Sequence, residues 1–310
     1  MHAHPYLPVG SKEIWVTYVP ILAHHNSFLL HSMLALSASH ISHNSPSTSQ
    51  VATTNYHALS LHHRVLAIRG LSELFITLNS STLSRVQKQT IQATLYSLTF
   101  QSYYLSDLSG FFELLYFFRG CSILRGIFTT DAKDVGPEMC LEGDGGHWEQ
   151  METRLYDLPQ VLNDDVQDAE TSLSFVKSLC RGNKMNWEFH RMLVAVVQDW
   201  KVSSLAAYFK FIQIYLAISK MSNYTFFKFT DRENRVGRVL LAHFLAVQKI
   251  MGPILNREVE FDRERGDGGL RFTGGIRGHK HWVEGIWDEL IEDKSREWEA
   301  FMEWPRRIFS

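Results

Sequence analysis

The chain has 310 residues, of which 45% are hydrophobic and 21% charged, and its formal net charge at pH 7 is −2. This length is sufficient for a large core, and a near-neutral chain without a basic patch does not favour direct nucleic-acid binding. The three cysteines, Cys121, Cys140 and Cys180, are far apart, which argues against a structural zinc site and fits a reducing compartment. We therefore expect no metal, no cofactor and an intracellular location, cytoplasmic or nuclear.

The first 26 residues carry Pro5, Pro8 and Pro20 and are expected to be rich in loops. They lack the basic and apolar regions of a signal peptide, and no run of 18 apolar residues predicts a membrane span. From Ser27, which can act as an N-cap, apolar residues recur at helical spacing. A polar stretch over residues 42–54 predicts a loop. Further helices are predicted over residues 55–78, 83–105 and 111–128.

Residues 131–170 differ in composition from the rest, with twelve acidic and two basic side chains. They predict a long acidic, partly irregular connection. Helices are predicted again over residues 171–180, 187–200, 203–220 and 231–251. A Gly- and Arg-rich stretch over residues 252–281 predicts a loop before a final amphipathic pair. No useful strand pattern occurs, so we predict an all-α fold: one helical domain over residues 1–310, a multi-helix orthogonal bundle around a hydrophobic ligand pocket.

One acidic motif, Asp164-Asp165-Val166-Gln167-Asp168, matches the aspartate-rich sequence with which class I terpene cyclases bind magnesium and diphosphate. It lies in the acidic segment, and a clean second metal motif is missing downstream. Solvated acids are therefore the favoured interpretation, and a magnesium site the alternative. The glycines of residues 266–278 lack the Lys-Ser/Thr of a phosphate loop and favour a flexible loop or lid.

Histidine is abundant, with 15 residues, but no metal or catalytic motif contains it. The pairs His24-His25 and His62-His63, and the triplet His279-Lys280-His281, are interpreted as surface features. His31, His40 and His243 lie on apolar helices, where each is a core histidine or a polar point inside a cavity.

The segment that begins at Phe111 carries aromatic side chains on all sides of one predicted helix, which is typical of a helix buried all round. Core packing explains this pattern, and so does the lining of a pocket for a rigid apolar ligand. We expect that pocket between the helix over residues 111–128 and the helices near His243 and Trp282. Its predicted lining residues are Phe111, Phe112, Phe118 and Phe244.

Several segments resemble, in order, the fungal-specific transcription factor domain. They are residues 30–40 with the sequence LHSMLALSASH; Tyr56 with Ala58, His62 and Ala67; residues 116–120 (YFFRG); residues 241–247 (LAHFLAV); residues 281–285 (HWVEG); and Trp304-Pro305. The variety it resembles most is the sterol-uptake-control type. This implies a helical pocket that binds a sterol. Those regulators begin with a basic zinc cluster, whereas residues 1–50 here hold one lysine, Lys12, and no arginine. We therefore expect no DNA-binding module of that kind.

These observations predict a stand-alone protein that binds a hydrophobic small molecule of terpenoid, sterol or polyketide type. The favoured function is a cofactor-free cyclase or pericyclase of fungal secondary metabolism. A ligand-sensing regulator domain without its own DNA-binding module is the alternative, and a magnesium-dependent terpene cyclase is the third. Predicted hydrogen-bond donors of the site are His243, Tyr116, Arg119 and Trp282. Beyond the ligand, a homodimer is left open as a partner.

Overall fold

A computed structural model describes residues 14–44, 55–77, 83–128, 163–255, 274–292 and 296–310, together with Glu152 and Leu155. These residues form helices and connecting turns, and no strand occurs in these ranges, which confirms the all-α prediction. A π-helix, Ile14–Tyr18, comes first. The α-helices are α1 (Val19–His25), α2 (Ser27–Asn44), α3 (Tyr56–Thr77), α4 (Arg85–Ser102), α5 (Leu108–Phe128), α6 (Asn163–Val176), α7 (Lys184–Trp200), α8 (Ser204–Lys220), α9 (Asn223–Thr230), α10 (Arg235–Ile250), α11 (Gly274–Ile291) and α12 (Glu299–Phe309).

The chain divides into two compact units, which are described separately below. Unit 1 comprises Met1–Leu105 and Glu113–His147, and unit 2 comprises Ser106–Phe112 and Trp148–Ser310. Helix α5 therefore contributes its first turn to unit 2 and the remainder to unit 1. The expectation of one domain over the whole chain stays a prediction.

In unit 1, α2 packs against α3 and α4, and α1 packs against α2 and α4. Helix α4 is buried on every side from Gln89 to Ser102, although its sequence is only half apolar. It begins with a capping box, in which the Ser84 hydroxyl accepts from the Gln87 amide and the Gln87 side chain accepts from the Ser84 amide. A helix with many polar residues is thus placed inside the core of this unit.

In unit 2, α10 is the central helix, and α6, α7, α9, α11 and α12 all pack against it. All its residues from Gly237 to Val247 are buried. Its N-cap is Asn234, whose side chain accepts from the Gly237 amide and pairs with the Asn186 amide of α7. A Cβ at Gly237 would lie 2.4 Å from the Asn234 amide nitrogen, so a glycine is needed at this close approach.

Several predicted boundaries were wrong. Residues 14–25, expected as loop, are helical, because Pro20 falls in the first turn of α1, where proline is tolerated. Helix α6 begins at Asn163, inside the predicted acidic connection, and Asp164 and Asp165 suit the positive end of the helix dipole. Helix α11 begins at Gly274, inside the predicted Gly/Arg-rich loop. The rest of both segments, up to residue 162 and from 256 to 273, lies almost entirely outside the described residues.

No helix in the described part of the chain is both long enough and apolar enough to cross a membrane.

Candidate ligand-binding sites

His243 lies in the middle of α10 and is fully buried. Its Nδ1–H donates to the Val239 carbonyl at 2.8 Å, so Nε2 of the neutral ring accepts from the Ser172 hydroxyl of α6, also at 2.8 Å. Its ring packs against Trp304 of α12 at 5.5 Å between centroids. Burial lowers the pKa of His243 to about 4, so the imidazole is neutral at pH 7. This histidine joins three helices of unit 2.

Phe244, the next residue of α10, belongs to a different set of contacts. Its ring stacks on Phe211 of α8 with centroids 5.4 Å apart, and it meets Tyr215 and Phe189 edge-on. Consecutive helical residues point about 100° apart, which separates these contacts from those of His243. Phe244 therefore packs within the α7–α8–α10 side of unit 2.

Trp282 of α11 is fully buried and stacks on Phe111 of α5, with centroids 5.3 Å apart. Phe111 also contacts Phe112, and the guanidinium of Arg238 lies 4.1 Å from the centroid of the Phe112 ring. Arg238 is buried and ion-pairs with Glu289 of α11 at 2.9 Å. The structure thus brings three predicted site residues together around an arginine that the sequence analysis did not select.

The other predicted site residues on α5, namely Tyr116, Phe118 and Arg119, belong to unit 1. Tyr116 is 42% exposed, whereas Phe118 and Arg119 are half-buried. The pocket predicted between this helix and the helices of His243 and Trp282 stays a prediction.

Unit 1 contains a buried arginine, Arg64 of α3, that sequence reasoning missed. Its guanidinium donates to the Ser102 hydroxyl at 3.0 Å, to the Gln101 side chain and to the Glu113 carboxylate. It also lies 5.1 Å from the centroid of the Phe117 ring. Because Arg64 is 4% exposed, its charge depends on these partners. No local sequence signal marks it, since its partners lie on α4 and α5.

A histidine pair also joins α2 and α3. The Nδ1 atoms of His31 and His63 lie 3.1 Å apart, and the two rings are stacked. Burial and the neighbouring His31 and His62 lower the pKa of His63. The prediction of surface histidines is therefore wrong for His63, which is half-buried and paired across helices, and also for His279 of α11, which is buried. Nothing in the spacing of the sequence could have joined residues so far apart in the chain.

The side of α4 that faces the π-helix carries a row of polar and aromatic side chains. The Tyr18 hydroxyl donates to Gln89 Oε1 at 2.7 Å, and Gln92 Nε2 donates to the Tyr96 hydroxyl at 3.3 Å. Trp15 meets the Tyr96 ring edge-on at 6.4 Å. The Nε2 amide of Gln89 is buried and makes no hydrogen bond. Buried polar atoms are normally paired, so this one requires an explanation.

A surface groove of about 250 Å³ lies between α11 and α12 in unit 2. Val283 and Phe309 supply apolar lining, while Lys280, Arg306 and Arg307 supply positive charge beside Glu284. Arg307 is already paired with Asp168 of α6 at 2.8 Å, and Arg306 lies over the Trp287 ring. The groove is at the small end of the volumes that bind small molecules.

The aspartate-rich motif lies in the first two turns of α6, with Asp164 exposed and Asp168 paired with Arg307. Across the described ranges, no group of three or more His, Cys, Asp or Glu side chains is arranged to hold a metal ion. Solvated acids stay the favoured interpretation of this motif, and magnesium binding stays the alternative. The thiols of Cys121 and Cys180 are buried, and burial raises the pKa of Cys121 to about 12, which makes it unreactive.

Comparison with known proteins adds one finding. Residues 7–124 match the model of the family described as the fungal specific transcription factor domain. No curated protein and no solved structure matches the chain. The matched residues include α1 to α4 and most of α5, and the later segments that resemble the family, from residue 241 onward, lie beyond them. The resemblance predicted from the sequence is therefore confirmed over residues 7–124, which match the model of the fungal-specific transcription factor domain.

Proposed function

We propose that this chain is a regulatory domain that binds an apolar small molecule and transmits its presence to transcription. The single observation that carries the proposal is the match of residues 7–124 to a transcription factor domain. The proposed ligand is of the terpenoid, sterol or polyketide type that is expected from the sequence. A ligand that binds one conformation of the helices better than another shifts their populations, and this is sufficient for regulation.

The aromatic packing of unit 2 supports the same proposal. Trp282, Phe111 and Phe112 form one aromatic cluster, in which the cation of Arg238 lies over the Phe112 ring, and Phe244 lies in a second aromatic cluster. Aromatic side chains of this kind commonly line the sites that bind rigid apolar ligands.

A cofactor-free cyclase or pericyclase stays a prediction and is ranked second. Its expected donor, His243, has both ring nitrogens bonded within the protein. This imidazole would have to give up its bond to Ser172 or Val239 before it could exchange a proton with a substrate. A regulatory domain requires no such rearrangement of α10.

The ligand can be tested directly by purifying the full chain from a fungal host and analysing its organic extract by mass spectrometry. The proposal predicts about one apolar, oxygen-containing molecule per chain. A matched preparation of an unrelated helical protein from the same host serves as the control for carry-over of lipid. An extract no richer than that control contradicts ligand binding.

A further inference from the structure

In unit 1 the π-helix contacts α4 at Gln89. Gln89 is 1% exposed, and its Oε1 accepts from the Tyr18 hydroxyl, while its Nε2 makes no hydrogen bond. Turning the amide over would leave Oε1 without its present donor and does not add a partner. One polar atom of this side chain is therefore left over in a closed, largely aromatic environment.

The element that covers Gln89 is unusual. Ile14–Tyr18 is a π-helical turn, a conformation that is rare and is often found at functional sites. Two of its side chains touch the same side of α4: Tyr18 bonds to Gln89, and Trp15 packs on Tyr96. The unpaired amide and the π-helical turn are independent observations, and they coincide at one place.

We infer that this contact is a ligand site in which Gln89 donates a hydrogen bond, through Nε2, to an oxygen of a mainly apolar molecule. Because Gln89 is closed off from solvent, the ligand reaches it only when the π-helical turn moves away from α4. Trp15 and Tyr96 then supply flat apolar faces for the rest of the ligand. This inference rests on the proposed function and names the part of the chain that selects the ligand.

The surroundings also define the charge of the ligand. Tyr18, which bonds to Gln89, is uncharged, and so are Trp15, Gln92 and Tyr96 on the same side of α4. A carboxylate buried there would find no counter-charge among these four side chains, and burying an unpaired charge costs far more than burying a neutral oxygen. The ligand class is therefore an apolar alcohol or ketone rather than an acid.

The test compares two probes that differ mainly by one hydroxyl group, farnesol and farnesene. Binding to the full chain is measured by titration for the wild type and for Gln89→Leu. The wild type is expected to bind farnesol more tightly than farnesene. Gln89→Leu should weaken farnesol binding about tenfold, the size of one lost hydrogen bond, and leave farnesene binding unchanged.

Ser97→Ala is the matched control, because Ser97 is also 1% exposed and its hydroxyl also lacks a partner. Ser97 lies eight residues further along α4, about 80° around the helix from Gln89. It should not affect either probe. Thermal unfolding verifies that each variant folds. Ser97→Ala is expected to melt at or above the wild-type temperature, since it removes an unpaired buried group, whereas Gln89→Leu also removes the acceptor of the Tyr18 hydroxyl and is expected to melt lower.

Equal affinity of the wild type for both probes, or equal loss of both in Gln89→Leu, would overturn the inference. No measurable farnesol binding to the wild type would overturn it as well. The proposed function fails separately, when the extract of the purified chain holds no apolar molecule.

Discussion

Ser172 on α6 donates a hydrogen bond of 2.8 Å to Nε2 of His243 on α10. The opposite ring nitrogen donates to the Val239 carbonyl within α10. A neutral imidazole has one donor and one acceptor, and both are used here. The buried histidine of α10 is thereby explained by packing, as a hydrogen-bonded link between two helices of unit 2.

Replacing Ser172 by Ala is expected to destabilise the chain by about 1–3 kcal/mol, because it leaves Nε2 of His243 buried without a donor. Urea unfolding at pH 7 measures the change. Ser174→Ala on the same helix is the control, since that hydroxyl is exposed and bonds only to the Thr171 carbonyl. It should change stability by less than about 0.5 kcal/mol. Equal effects of the two variants would contradict the role given to Ser172.

Three buried histidines of unit 2 predict that stability falls in mild acid. Burial lowers the pKa of His190, that of His243 to about 4 and that of His279 to about 3. The unfolded chain binds protons on these residues below about pH 6.5, whereas the folded chain does not. The stability that the folded chain gains by keeping these histidines neutral is therefore complete above pH 6.5. It is lost as the pH falls toward their pKa values in the folded chain.

The dependence of the unfolding free energy on pH can be measured by urea unfolding between pH 7 and pH 5. In this range each such histidine lowers the unfolding free energy by up to about 1.36 kcal/mol per pH unit. His279→Leu removes one titrating group from an aromatic environment beside Trp282 and Phe309. Its unfolding free energy should depend less steeply on pH than that of the wild type. Identical slopes would mean that His279 is protonated in the folded chain or solvated there.

Because Arg64 is buried, we expect a substitution of its partner Glu113 to destabilise the folded chain. In Glu113→Gln the guanidinium keeps a hydrogen-bond acceptor but loses the opposite charge. The Glu113 side chain is 38% exposed, so solvent screens part of the loss, and we expect about 1–3 kcal/mol rather than the larger cost of a fully buried pair. Glu73→Gln, an exposed position on α3, should cost less than about 0.5 kcal/mol. A Glu113 variant as stable as this control would show that Arg64 does not depend on the carboxylate.

We expect a side chain at Gly285 of α11 to clash with α5. A Cβ there would lie 2.9 Å from the Cβ of Leu108 in the first turn of α5, so Gly285→Ala should destabilise unit 2 by about 1–3 kcal/mol. Gly252→Ala is the matched control, because a Cβ at that position meets nothing within 4 Å. Its melting temperature should equal or exceed that of the wild type. If both variants melt alike, α11 and α5 do not approach as closely as the structure has them.

Helix positions were predictable where apolar residues recur at regular spacing, as in α3, α8 and α10. Helices that begin in polar or glycine-rich sequence were not. The acids that marked residues 163–170 as a connection are favourable in the first turn of α6. The short helix Asn223–Thr230 was missed, because its Ser222 N-cap follows directly on the preceding helix.

The candidate sites were predictable only in part, for a physical reason. Aromatic density along the chain selected Phe111, Phe112 and Trp282, which do pack together. Polar pairs such as Arg64 with Glu113, or His31 with His63, depend on which helices are neighbours. The unpaired amide of Gln89 is likewise a property of packing, since its sequence gives no sign that one of its two polar atoms lacks a partner.

The central claim, that this chain regulates transcription in response to an apolar ligand, is tested most directly by tethering. The full chain is fused to a heterologous DNA-binding module in yeast, and a reporter gene is measured with and without added farnesol. We predict that added farnesol changes the reporter output of the fusion several-fold and does not change the output of the DNA-binding module alone. A fusion whose output equals that of the module alone, with and without the ligand, would contradict the regulatory function.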